Sequence, residues 1–62
     1  MACFNVIALS PDGESAAQVF YKRDFARDEF FSRCSTGKPG SVVVMKVDGQ
    51  EMARVTVQAK DA

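Results

Sequence analysis

The sequence predicts a small α+β domain in which two β-hairpins flank one helix, in the order ββαββ. Two pairs of apolar segments are each joined by a turn that contains Asp-Gly, at residues 12–13 and 48–49. Between the two pairs, residues 24–34 carry the only convincing helical period. We therefore expect a four-stranded, mostly antiparallel sheet with one helix packed on one face, in a single domain that spans residues 1–62.

Residues 3–9 and 16–22 are predicted to pair as the first hairpin. The first segment is rich in β-branched and aromatic residues and ends at Ser-Pro-Asp-Gly, a typical turn sequence. A two-residue turn at 12–13 gives one coherent apolar face. Its pairs are Phe4 with Tyr21, Val6 with Val19, and Ala8 with Ala17. A three-residue Pro-Asp-Gly loop would bring Gln18 onto that face, so the two-residue turn is preferred.

The helix is predicted over residues 24–34. Apolar side chains recur there at four-residue spacing, at Ala26, Phe30 and Cys34. The carboxylate of Asp24 is placed to cap the first amide groups. Gly37 is expected to end the helix in the left-handed conformation, and Pro39 cannot continue it. One face of this helix can therefore be buried against the sheet.

A longer helix over residues 16–34 is the alternative. Ser15 and Gln18 match a capping box, which marks the start of a helix. On such a helix Arg23 and Arg27 would lie near the middle of the apolar arc, and charge would then be buried. The ββαββ order is preferred for this reason, with βαββ as the alternative fold.

Residues 41–47 and 51–59 are the clearest strands, and Asp48-Gly49 between them suits a type I′ turn. Counting outward from this turn gives an apolar face that the helix can cover. Its pairs are Lys46 with Glu51, Val44 with Ala53, and Val42 with Val55. The opposite face of the sheet would then carry Ile7, Leu9, Phe20, Val43, Met45 and Met52.

Composition argues against most enzymes and against a strongly basic nucleic-acid-binding protein. Eight basic and eight acidic side chains cancel, so no global field attracts phosphate. The chain has no histidine, which is the usual general base near neutral pH and the commonest metal ligand. We therefore expect a protein that is not an enzyme, with no catalytic, cofactor-binding or metal-binding residues and no cofactor.

The two cysteines, Cys3 and Cys34, lie far apart in the chain and outside any Cys-x-x-Cys motif. Both are expected to be reduced and packed, with a disulfide between them as the other possibility. The apolar stretch at residues 4–9 is too short for a signal peptide or a membrane span. A cytoplasmic location without membrane contact is the expectation.

The uncovered sheet face predicts a small protein-interaction module, of the adaptor or inhibitor type, which binds a protein partner or itself through that face or a strand edge. A homodimer is expected. The candidate interface residues are Phe20, Phe25, Val43, Met45, Met52 and Arg54.

The alternative function is weak nucleic-acid binding by residues 20–38, where basic residues alternate with aromatic ones. The candidate contacts are Lys22, Arg23, Arg27, Arg33 and Lys38. Zero net charge and the acidic residues in the same region disfavour this alternative.

Overall fold

The computed structural model describes residues 2–59 and contains four strands and one helix in the predicted order. The elements are β1 Phe4–Leu9, β2 Ser15–Phe20, α1 Arg23–Thr36, β3 Val42–Val47 and β4 Gln50–Thr56. The strands form one sheet in the order β2-β1-β3-β4, with every neighbouring pair antiparallel. The predicted ββαββ fold is confirmed, and the long helix over residues 16–34 is wrong because residues 15–20 form a strand.

The helix crosses the sheet over β1. β2 and β3 lie on either side of β1 and both pair with it antiparallel, so they run parallel to each other. Since α1 connects β2 to β3, it passes over β1. The helix buries Ala26 and Phe30 against β1 and β3. The core that forms between the layers also contains Phe4, Val6 and Val43. The predicted packing of the helix on one face is therefore confirmed.

The start of the helix differs from the prediction by one residue. Lys22 is the N-cap, in an extended conformation, and it makes no side-chain capping hydrogen bond. Asp24 was predicted to be the cap, and it lies instead in the first helical turn, where its negative charge favours the helix dipole. The amide of Ala26 donates to the carbonyl of Lys22, at 3.2 Å, and closes this first turn.

The helix ends before Gly37, where neighbouring atoms lie too close for a side chain. The predicted left-handed conformation is wrong, since Gly37 has φ −66° and ψ 152°. Its N–H donates to the carbonyl oxygen of Arg33 at 2.9 Å. A Cβ atom on Gly37 would lie 2.8 Å from that oxygen and 3.2 Å from Cγ2 of Val57. Glycine is therefore needed here for space and not for a positive φ.

The first hairpin has the three-residue loop that was not preferred. The amide of Ser10 donates to the carbonyl of Glu14 at 2.8 Å, and Gly13 takes φ 97°. A two-residue turn would require Pro11 to pair with Glu14, but proline has no N–H to donate. The observed pairs are Phe4 with Phe20, Val6 with Gln18, and Ala8 with Ala16. The predicted register was wrong by one residue, and Gln18 does share the face of Phe4.

The second hairpin confirms the type I′ turn but contains a β-bulge. Asp48 and Gly49 take φ of 51° and 83°, and Lys46 pairs with Glu51 as predicted. Beyond that pair the register shifts, so that Met52 is left without a partner on β3. The following pairs are Met45 with Ala53, Val44 with Arg54, Val43 with Val55, and Val42 with Thr56. The predicted pairs beyond Lys46 were therefore wrong by one residue.

These two shifts change which residues the helix covers. Phe20, Val43 and Met45 were expected on the face away from the helix, and all three belong to the helix-covered core or pack against it. The opposite side of the sheet is called the open face. It consists of Asn5, Ile7 and Leu9 on β1, Ser15, Ala17 and Val19 on β2, Val42, Val44 and Lys46 on β3, and Glu51, Arg54 and Thr56 on β4.

The first prediction concerns Phe30, the largest side chain that the helix buries. We expect Phe30→Ala to lower the free energy of unfolding by about 3 to 5 kcal/mol, because it leaves a cavity between the layers. Phe31→Ala is the matched control, since Phe31 is 58% exposed and contacts Phe30 edge to face. It should cost about 1 kcal/mol. Urea denaturation of both variants measures the difference, and equal losses would contradict the observed helix orientation.

The second prediction tests the bulge through two methionines. Met45→Asp places a carboxylate beneath the helix and should cost at least about 2 kcal/mol. Met52→Asp changes a side chain that is 64% exposed and should alter stability by about 0.5 kcal/mol or less. Thermal denaturation followed by circular dichroism compares them. A sheet without the bulge would place both methionines on one face, and the two variants would then behave alike.

Candidate interaction surface

The centre of the open face is an aliphatic surface. Ile7 and Leu9 on β1 lie directly opposite Val44 and Val42 on β3, respectively. Val44 is only 4% exposed in the single chain, whereas Leu9 is 40% exposed. Ala17 and Val19 on β2 extend the surface toward one sheet edge. We call the set Ile7, Leu9, Ala17, Val19, Val42 and Val44 the apolar strip.

The β4 side of the open face carries charge. Arg54 donates two hydrogen bonds to Glu51, from Nη2 to Oε1 at 2.7 Å and from Nε to Oε2 at 3.2 Å. In a regular strand residues three apart point to opposite faces, and the bulge at Met52 places these two on the same face. Hydrogen bonds from Arg54 hold the pKa of the Glu51 carboxyl below its usual range, and Lys46 opposite adds to this effect. The apolar strip therefore has a charged rim on one side.

The two edges of the sheet have different chemistry. On β4 the edge carries the bulge and the Glu51–Arg54 ion pair, both of which oppose pairing with another strand. The β2 edge has the sequence Ser-Ala-Ala-Gln-Val-Phe, without charge or proline, and it pairs with β1 without a bulge. All of its residues except Phe20 are exposed. The β2 edge thus lacks the usual protection of an edge strand.

The structure does not bring the six predicted interface residues together. Val43 is 1% exposed, and Phe20 and Met45 are partly buried against the core, so these three lie on the helix side of the sheet and not on the open face. Arg54 lies on the open face as predicted, while Met52 is exposed at the bulge.

Phe25 is exposed on the helix, with Nζ of Lys22 5.6 Å from its ring centroid. This distance fits a cation–π contact. The helix and the open face lie on opposite sides of the sheet, so Phe25 and Arg54 belong to different surfaces.

Val42 and Val44 lie on the open face, whereas they were predicted on the face that the helix covers. Their predicted positions followed from pairing the strands outward from the Asp-Gly turn without a bulge. A signal was present in β3: the alternate residues Val43, Met45 and Val47 are all apolar, whereas the set that contains Val42 and Val44 ends in Lys46. Burial of the wholly apolar set against the helix leaves Lys46 free to remain at the surface.

The predicted nucleic-acid contacts do not form one basic surface. Arg27 pairs with Asp24 at 3.7 Å, and Arg33 donates to Glu29 at 2.6 Å. Arg23 is the first residue of α1 and Lys38 follows its last turn, so the two lie roughly 20 Å apart along the helix axis. Two of the five charges are therefore paired with carboxylates, and the remaining three lie near opposite ends of the helix.

Cys3 and Cys34 are both free thiols, and no disulfide joins them in the described part of the chain. Burial raises the pKa of the Cys34 thiol, whereas a reactive cysteine needs a lowered pKa. Residues 2–59 contain no group of three or more acidic, cysteine or histidine side chains positioned around a common metal position.

A cleft of about 290 Å³ lies between the first hairpin loop and the end of the helix. Its charged lining residues are Asp12, Glu14, Arg33 and Lys38. Ser10 Oγ donates to Asp12, and this hydrogen bond lowers the pKa of the Asp12 carboxyl. Because Arg33 is already held by Glu29, the cleft presents mixed charge without an arrangement specific for one ligand.

Among the described residues, no helix has the length and apolar character that crossing a membrane requires. Compared with protein-family models, curated proteins and solved structures, the chain gives no significant match.

Proposed function

We propose that this protein is a small protein-interaction module whose contact surface is the open face of its sheet. The observation that carries the proposal is the composition of the two central strands. β1 has the sequence Phe-Asn-Val-Ile-Ala-Leu and β3 the sequence Val-Val-Val-Met-Lys-Val. Strands that are covered on both faces have such nearly continuous apolar runs, whereas half-exposed strands alternate with polar residues. The helix covers only one of the two faces.

The arrangement of the open face supports a protein partner. Its centre is aliphatic, through Ile7, Leu9 and Val42, and its charged residues lie to one side. Protein interfaces commonly have an apolar centre that is depleted of charge and a polar rim. A partner with an apolar centre and charges that complement the Glu51–Arg54 pair would fit this surface, and the fixed geometry of that pair would favour one orientation.

Nucleic-acid binding has less support as a function. Two of the helix arginines, Arg27 and Arg33, are paired with carboxylates three or four residues away, and the net charge is zero. Phosphate binding depends on several unpaired Lys or Arg side chains, which neutralise the phosphates and release the counterions bound to the nucleic acid. The charged groups of the open face include a carboxylate, so that surface does not favour phosphate either.

Site-specific photo-crosslinking in the native cell tests the open face. A photoreactive amino acid replaces Leu9 on the apolar strip in one variant and Phe31 on the exposed side of the helix in the other. We expect discrete protein crosslinks from position 9 and none of the same species from position 31. Ile7→Lys should abolish the crosslinks from position 9, because the lysine charge would have to be buried in the contact.

Circular dichroism and thermal denaturation of the Ile7→Lys protein provide the control for folding. Crosslinks of the same mass and yield from both positions, or crosslinks from position 9 that persist in a folded Ile7→Lys protein, would contradict an interface on the open face.

A further inference from the structure

We infer that two copies of this chain pair through their β2 edges, antiparallel and centred on Ala17, to form a continuous eight-stranded sheet. The inference rests on the proposed function as a protein-interaction module, and it names a second copy of the chain as one partner. It concerns the strand edge, which is a different surface from the open face.

The hydrogen-bonding directions of β2 follow from the loop that precedes it. Ser10 and Glu14 face each other in a hydrogen-bonded pair, and such pairs recur at every second residue of an antiparallel ladder. The backbone groups of Ala16 and Gln18 therefore point toward β1. Those of the residues between them point away from the sheet. These outward residues are Ser15, Ala17 and Val19.

The outward groups match a second copy in one register. When Ala17 lies opposite Ala17 of the other copy, Ser15 lies opposite Val19 and Val19 opposite Ser15. Each of the three residues has one outward N–H and one outward C=O, so the three pairs form six hydrogen bonds and no outward group is left unpaired. Moving the register by two residues in either direction loses at least one of these pairs, because β2 ends at Ser15 and Phe20.

The side chains are compatible with this register. Across the two-fold axis, Ala17 meets Ala17, and both are small. On the helix side, Ala16 lies opposite Gln18. Like charges opposite each other would destabilise the pairing, but β2 contains no charged residue.

The contrast between the two edges explains why β2 and not β4 would pair. The bulge at Met52 interrupts the outer ladder of β4, and the Glu51–Arg54 pair adds charge there. Natural sheets use such features to prevent edge pairing. A strand of six residues with neither feature remains open to strand addition, in which main-chain hydrogen bonds supply the affinity.

The oligomeric state of the purified chain provides the first test. Strand pairing buries less area than the roughly 800 Å² per partner of a standard interface, so we expect a concentration-dependent dimer. Light scattering should give a mass rising toward twice 6.8 kDa as the concentration approaches the millimolar range. A mass of 6.8 kDa at every concentration would overturn the inference.

Proline substitution tests which edge is used. Ala17→Pro removes an outward N–H, and because that group does not bond to β1 the hairpin should stay folded. It should abolish the dimer. Thr56→Pro is the matched control, because Val57 donates to Ser41 and the neighbouring Thr56 therefore points outward on β4; it should leave the dimer intact. Ala17→Lys, with like charges across the axis, gives a second route if the proline variant does not fold. A dimer that survives a folded Ala17 variant would overturn the inference.

Disulfide trapping tests the register. In a chain with Cys3→Ser and Cys34→Ala, Ala17→Cys should form a covalent dimer under mild oxidation, because hydrogen-bonded antiparallel partners lie about 5.5 Å apart, within reach of a disulfide. Ala16→Cys alone should not, whereas a mixture of Ala16→Cys and Gln18→Cys chains should. Equal trapping of all single variants would contradict the register.

The two proposals fail separately. If no dimer forms while open-face crosslinks depend on Ile7, the interaction module stands and only the strand pairing is wrong. If the dimer forms and open-face crosslinks are absent, the strand pairing stands and the open face is not the contact surface.

Discussion

The structure depends on the packing of one helix across β1. Because α1 joins β2 to β3 and these lie on either side of β1, the helix must cross that strand, and Ala26 and Phe30 bury its contact face. Residues 2–59 contain no second helix that could cover the other face. The fold therefore stabilises one layer interface and leaves β1 and β3 with an aliphatic side that has no cover within the described chain. Small domains bury a smaller fraction of their surface on folding and are only marginally stable, so covering this aliphatic side by a partner would stabilise the fold.

The bulge at Met52 resolves a conflict within the second hairpin. A regular hairpin from the Asp48-Gly49 turn would place Val43 opposite Arg54, and helix packing on that side of the sheet would bury a guanidinium. With one extra residue in β4, Val43 pairs with Val55, and the arginine moves to the open face. There it meets Glu51 in a two-hydrogen-bond ion pair. The extra residue, Met52, thus keeps Arg54 out of the core and places the Glu51–Arg54 ion pair at the rim of the open face. The same bulge opposes pairing of the β4 edge with another strand.

The sequence was sufficient for the type and order of the elements but not for the strand registers. Hydrophobic periods and turn residues predicted both hairpins, the helix and the face of β1 that contains Phe4 and Val6. Registers depend on single residues, because a shift by one moves every side chain to the other face. Pro11 could have indicated the three-residue loop, since it has no N–H for a pair with Glu14. The bulge had a weaker signal, the wholly apolar set on β3, and the predicted interface residues Val43 and Met45 were misplaced as a result.

The β2 edge and the open face can make two different contacts at the same time. Antiparallel pairing of two β2 strands in one sheet requires a two-fold axis perpendicular to the sheet, so both helices lie on one side and both open faces on the other. Ala17 and Val19 belong both to the apolar strip and to the β2 edge, so the two strips would join at the axis of such a dimer. A dimer formed face to face would instead bury both strips and leave no apolar surface for another protein. Of these two modes of self-association, only edge pairing would leave the apolar strip free for another protein, and it would double the area of that surface.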